Sequence, residues 1–112
     1  MPRTRNSTKL APVIVHMAKR IADRFRPERI ILFGSHARGD AGPDSDIDLL
    51  VVMAVPGSIR EKRLEIGAAL SDYGCPIDVV VATPEQFVRR RGIPGTIERP
   101  AFLEGLLLHE RA

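Results

Sequence analysis

Apolar residues recur along this chain with two different periods. Leu10, Ile14, Met17, Ile21 and Phe25 follow one another at intervals of four, three, four and four, which is one stripe of an amphipathic helix. Ser7 or Thr8 offers an N-cap for it, Pro12 has to fall in its first turn, and Arg26-Pro27-Glu28 ends it. The pattern then changes. Arg29-Ile30-Ile31-Leu32-Phe33 and the run from Ile47 to Met53 are short and continuously apolar, as in strands buried on both faces. Pro56-Gly57 turns the chain, and Ser58-Ile59-Arg60-Glu61 is a capping box opening a helix that Gly74 closes. Pro76-Ile77-Asp78-Val79-Val80-Val81 predicts a third strand. Thr83-Pro84-Glu85-Gln86 opens another helix, which the stretch from Gly92 to Gly95 breaks. From Thr96 a short helix runs to about Glu104, followed after Gly105 by more helix or a small strand at Leu106-His109. A helix followed by alternating strands and helices is an α/β (α+β) arrangement.

Composition narrows the class without naming a function. The length of 112 residues suits a single domain, residues 1–112, with no internal linker, repeat or low-complexity tract. Basic residues cluster at Arg24-Arg26-Arg29, Arg60-Lys62-Arg63 and Arg89-Arg90-Arg91, although the net charge is only +3. Each cluster reads most simply as a solvated helix face, and as a nucleotide or acidic-partner contact otherwise. Four Phe, one Tyr and no Trp leave no base-stacking aromatics among the basic runs, so no direct nucleic-acid binding is expected. The single Cys75 permits no internal disulfide and no cysteine-based metal site. No run reaches membrane-spanning length and no signal peptide is evident, which points to the cytoplasm and away from a membrane partner.

The candidate chemistry lies where strands begin and end. Phe33 should close the first strand, which puts Gly34-Ser35 in the turn that follows. Glycine there lets backbone approach a ligand, and a helical turn over Ser35 to Arg38 would aim N–H groups and the Ser35 hydroxyl at an anion. Arg38 offers a phosphate contact or a surface ion pair with Asp40 or Asp44. His36 reads as a turn residue facing solvent. Asp46 and Asp48 should share one face of the second strand with Leu50 and Val52, while Ile47, Leu49 and Val51 face the core. Two such carboxylates repel by roughly 2 kcal/mol at an effective dielectric near 20, a cost that a divalent cation would offset. Hard oxygen donors favour Mg²⁺ or Mn²⁺. Asp78, early in an otherwise apolar strand, becomes a third carboxylate if its strand lies beside that of Asp48. It would then share a metal or serve as general base. Tyr73, at a helix end, reads as packing. Leu106-Leu107-Leu108 and Ile93 read as core.

Gly34-Ser35, ten residues, then Asp46-Ile47-Asp48, with Asp78 on a later strand, resembles the nucleotidyltransferase superfamily that includes DNA polymerase β. The likeness is strongest to the minimal nucleotidyltransferases, the MNT proteins. It is carried by Arg29 to Gly39, Asp44 to Val51 and Pro76 to Val80. The resemblance implies a mixed β-sheet flanked by helices, the nucleotidyltransferase fold, with the carboxylate strands at its centre and a short final strand at Leu106-His109. It implies Asp46, Asp48 and Asp78 as catalytic metal ligands, Gly34, Ser35 and Arg38 as nucleotide contacts, Mg²⁺ (or Mn²⁺) as cofactor and a nucleoside triphosphate, ATP above all, as substrate. Short members resemble the antitoxins of HEPN/MNT toxin–antitoxin pairs. That implies AMPylation of a tyrosine on a HEPN ribonuclease toxin, in a hetero-oligomer. Two alternatives stay open: an antibiotic-type small-molecule nucleotidyltransferase, as a homodimer completing its own pocket, and an antitoxin that neutralises by masking.

Overall fold

The computed structural model describes residues 3–4 and 10–111. Helix α1 (Pro12–Phe25) buries Ile14, Met17, Ala18 and Ile21, with Leu10 and Phe25 packed at either end of the stripe. Pro12 lies in the first turn, where its missing N–H has no acceptor to lose. Ala11 holds the N-cap position without a side-chain bond; the expected caps Ser7 and Thr8 lie outside the described residues. The helix stops at Arg26, in a left-handed conformation (φ 50°), because Pro27 cannot continue it.

Strands β1 (Arg3–Thr4), β2 (Arg29–Phe33), β3 (Ile47–Val52), β4 (Ile77–Ala82) and β5 (Leu106–Glu110) form one sheet in the order β1-β5-β2-β3-β4. Central β2 is antiparallel to β3 and β5, whereas β3–β4 and β1–β5 are parallel, so the sheet is mixed. Parallel neighbours need a crossover, and α3 (Ile59–Ala69) supplies it between β3 and β4. Ser58 caps α3 by accepting from the Glu61 N–H. The helix ends at Ala69, short of the expected Gly74, because the chain tightens into a 3-10 turn at Ser71–Tyr73 before left-handed Gly74 (φ 69°). The capping box at Thr83 and Gln86 opens α4 (Pro84–Arg90) with both of its bonds made.

Strand side chains alternate between two apolar layers. Ile30, Leu32, Ile47, Leu49, Val51, Val79 and Val81 pack with α1 and with Ile66 and Leu70 of the α3 segment. Ile31, Leu50, Val52 and Ala82 pack on the other side with Phe87 of α4 and Ala101 of α5 (Glu98–Glu104). Both faces of β2 and β3 are therefore covered, which explains their unbroken apolar runs. Leu106 and Leu108 join the first layer and Leu107 borders the second. Ile93 does not belong to the core: it is 48% exposed, in the turn between α4 and α5. Tyr73 packs as expected, with its hydroxyl bonded to His16 Nδ1 and the Arg20 guanidinium 4.4 Å from its ring centroid.

Candidate active site

The end of the sheet where β2 finishes and β3 and β4 begin collects the polar residues singled out above. Register decides the arrangement. Phe33, the last residue of β2, pairs with Asp48, and Asp48 pairs in turn with Asp78 on parallel β4. The two carboxylates therefore stand side by side, on strands about 4.8 Å apart. Asp48 shares the alternation of Leu50 and Val52, toward the α4–α5 side of the sheet, whereas the Asp78 carboxylate, on the edge strand, is reached from α3. Asp46 lies immediately before β3 and is exposed, while Asp48 is half-buried.

Gly34 turns the chain directly over Asp48. Its backbone (φ 74°, ψ −157°) is one that L side chains rarely adopt, and a Cβ there would overlap Asp48 Oδ2. The turn leads into α2 (Ser35–Arg38), whose Ala37 and Arg38 N–H groups bond the Gly34 carbonyl. The N–H groups of Ser35 and His36, ahead of these, have no intrahelical acceptor. Arg38 forms a surface ion pair with Asp40 at 3.4 Å, one of the two roles open to it.

Two residues take parts that the sequence reading missed. His36 does not face solvent as a plain turn residue: it is half-buried, and its Nε2 meets the Ser45 carbonyl at 3.2 Å. It thereby ties the Gly-Ser turn to the loop that delivers Asp46. Arg63 of α3 donates from Nη2 to Asp78 Oδ1 at 3.1 Å. A sign of this was present in the sequence, because Arg63 falls in the helical stripe of Ile59, Ile66 and Leu70, although it reads there as part of a solvated basic cluster.

Electrostatics set Asp48 apart. Burial first, and then the charges of Asp78 and Asp46, push its carboxyl above the ordinary 3.8, with His36 and Arg38 pulling it partly back. Among the described residues Asp48 has no ion-pair partner. A half-buried, crowded carboxylate with no ion-pair partner is a site at which a cation lowers the energy. Its donor set is oxygen, the preference of Mg²⁺ and Mn²⁺, and Mg²⁺ commonly takes one or two carboxylates with the rest from phosphate and water. The residues therefore fit a magnesium-type ion held by Asp46 and Asp48. As the side chains stand, no three acidic, histidine or cysteine groups among the described residues come together to hold a metal, and Asp78 is engaged by Arg63 instead.

A family model of the nucleotidyltransferase domain matches residues 15–101, a span that contains every residue of this site. The chain belongs to the nucleotidyltransferase domain family. This nucleotidyltransferase domain is 36% identical over 87 residues to a Methanocaldococcus jannaschii protein named "Putative protein adenylyltransferase", covering 77% of this chain and 82% of that one. A second protein of that name and organism is 38% identical over 55 residues, covering 49% of this chain and 54% of that one. So the chain's match spans about half the length of this second relative. Among solved structures, one chain of a toxin–antitoxin crystallised with AMP-PNP superposes with a TM-score of 0.63 at 22% identity, covering 87% of this chain and 73% of that one. A tri-AMPylated Shewanella oneidensis HEPN toxin in complex with its MNT antitoxin gives 0.55 at 20% identity, covering 86% and 68%. At those identities the likeness is one of fold, and it agrees with the mixed sheet and flanking helices described above. No helix among the described residues is long and apolar enough to cross a membrane.

Proposed function

We propose that this nucleotidyltransferase domain moves AMP from ATP, with Mg²⁺ or Mn²⁺, onto a tyrosine hydroxyl of a partner HEPN ribonuclease, and so acts as that toxin's antitoxin. The observation that carries the chemical part is Asp48, which lies beneath the Gly34 turn and pairs in register with Asp78. This sets an anion-crowded carboxylate against the backbone of a turn suited to phosphate. The acceptor and partner rest on the resemblance to antitoxins and on the names of the relatives and structural neighbours.

In this reading Gly34 lets the backbone approach the triphosphate, and the Ser35 hydroxyl and N–H bind it. Asp46 and Asp48 hold the divalent ion, which when bound offsets charge on the triphosphate and on the departing pyrophosphate. His36 keeps the turn and the Asp46 loop in a fixed relation. The acceptor oxygen attacks the α-phosphorus, the bond from that phosphorus to the pyrophosphate oxygen breaks, and the hydroxyl proton passes to Asp78 or, where Asp78 joins the metal, to water. The product is a phosphodiester joining AMP to the acceptor.

The test is transfer from ATP labelled on the α-phosphate, with Mg²⁺ and a lysate of the source organism, beside an Asp46→Ala/Asp48→Ala variant. Label on a protein of HEPN-toxin mass, lost with the variant, is the expected result. Label confined to a small product would replace the reading with an antibiotic-type enzyme. A variant that still neutralises the partner without transferring label would reduce the chain to a masking antitoxin.

A further inference from the structure

On α3 Ile59, Arg63, Ile66 and Leu70 follow one another at intervals of four, three and four, a helical stripe in which Arg63 alone is exposed. Ile66 is fully buried, Leu70 nearly so, and Ile59 packs at the edge of the same core. An arginine in such a stripe has left the apolar register of its helix. It reaches the neighbouring edge strand, where its Nη2 lies 3.1 Å from Asp78 Oδ1. The pair is half exposed on both sides, 51% for Arg63 and 47% for Asp78. It stands over a cleft of about 290 Å³ between α3 and β4, lined by Leu64, Gly67 and Ala68 on the helix and by Ile77 on the strand. Nothing therefore encloses the ion pair. It can open without unpacking the core.

The other face of this contact is the carboxylate cluster. Asp78 is the register partner of Asp48, yet the described residues present no three-ligand metal site, and the one carboxylate of the three with an ion-pair partner is Asp78. We infer that Arg63 is a latch on Asp78: a positioning residue that competes with the divalent cation for this carboxylate, so that Asp78 joins Asp46 and Asp48 only when the metal–nucleotide displaces the guanidinium. The inference rests on the reading of these carboxylates given above. An exposed ion pair of this kind is weak, so the latch biases metal loading by about threefold to fivefold and does not lock it.

The experiment measures Mn²⁺ affinity calorimetrically on the full chain, with and without a non-hydrolysable ATP analogue. The proteins compared are the wild type, Arg63→Gln, Arg63→Lys, Asp78→Asn, Arg63→Gln/Asp78→Asn and Asp46→Asn/Asp48→Asn, each checked for fold by circular dichroism. Arg63→Gln is expected to tighten Mn²⁺ binding about threefold to fivefold without the analogue. The same substitution should have no effect in the Asp78→Asn background, and Arg63→Lys should return the affinity toward wild type. Unchanged or weaker binding by Arg63→Gln overturns the latch. So does an equal tightening in both backgrounds, which would mark a diffuse charge effect. Binding that survives Asp46→Asn/Asp48→Asn, or a wild type that binds no Mn²⁺, overturns the carboxylate reading itself and the latch with it.

Discussion

Gly34 lies so close above Asp48 that a methyl group on its α-carbon would overlap the carboxylate oxygen Oδ2. The glycine is needed twice, for the close approach and for a φ of 74° with ψ near −157°, a combination almost confined to glycine. Gly34→Ala must therefore either push the turn off Asp48 or hold alanine in strain costing about 1–3 kcal/mol. The expected outcome is a melting temperature lower by several degrees together with a loss of nucleotide binding. Calorimetry with an ATP analogue and a thermal melt measure both. A variant that melts like the wild type and binds nucleotide equally would show that the turn has no such constraint.

Asp48 is destabilised as an anion, and the sign of its pH dependence follows. Because burial, Asp78 and Asp46 raise its folded pKa above 3.8, the folded chain holds its proton more tightly than the unfolded chain. Its contribution to stability is fully present below 3.8 and is lost as pH rises through the raised folded value. At neutral pH the charged side chain is a net cost. Asp48→Asn should therefore melt at a higher temperature than the wild type at about pH 7, with a gain that shrinks toward about pH 4. The same variant should lose transfer activity. A gain that is equal at both pH values, or none at neutral pH, would contradict this account of the site's energetics.

How far the site was legible follows from which of its features are local. The break from Phe33 into Gly34, and the position of Asp48 on the face opposite Leu49 and Val51, are matters of neighbouring residues and of a period of two. The pairing of Asp48 with Asp78 is not local: it depends on β3 and β4 lying side by side, which the chain brings about only through the α3 crossover. The resemblance supplied what periodicity could not, including the last strand at Leu106, where three successive leucines fit helix and strand equally well. Arg63 was hidden for the opposite reason. Its helical phase was readable, but a charge in an apolar stripe has meaning only once its partner across the strand is known. His36 likewise lies nine residues from the carbonyl it holds, across a loop whose path no pattern dictates.

Two glycines with ordinary backbone make opposite predictions from the space around them. At Gly105, between α5 and β5, a Cβ would overlap the Ala101 carbonyl and the Ile31 side chain and come within 3.0 Å of the Leu32 carbonyl. Two of those three atoms are backbone and cannot step aside, so Gly105→Ala should cost about 1–3 kcal/mol. At Gly67, inside α3, a Cβ meets nothing within 4 Å. There the gain in helix propensity should raise stability by about 0.5–1 kcal/mol. Urea unfolding of the two variants beside the wild type reads both signs in one experiment. Equal signs would refute the packing described at one of the two positions.

Asp46 offers the cleanest way to separate metal binding from folding. It is exposed, stands one residue ahead of β3 and has no ion-pair partner among the described residues, so its substitution should leave the unliganded chain's stability nearly unchanged. A ligand that binds only the folded chain raises stability by mass action, about 2.7 kcal/mol at a hundredfold excess over its dissociation constant. Mg²⁺ with a non-hydrolysable ATP analogue should therefore raise the melting temperature of the wild type by several degrees, and a chelator should remove most of that rise. Asp46→Asn should start from the wild-type melting temperature and respond weakly to the same mixture. If the rise survived the chelator, or if Asp46→Asn responded as the wild type does, the nucleotide would be bound without a metal on Asp46, and the role given to this carboxylate would be wrong.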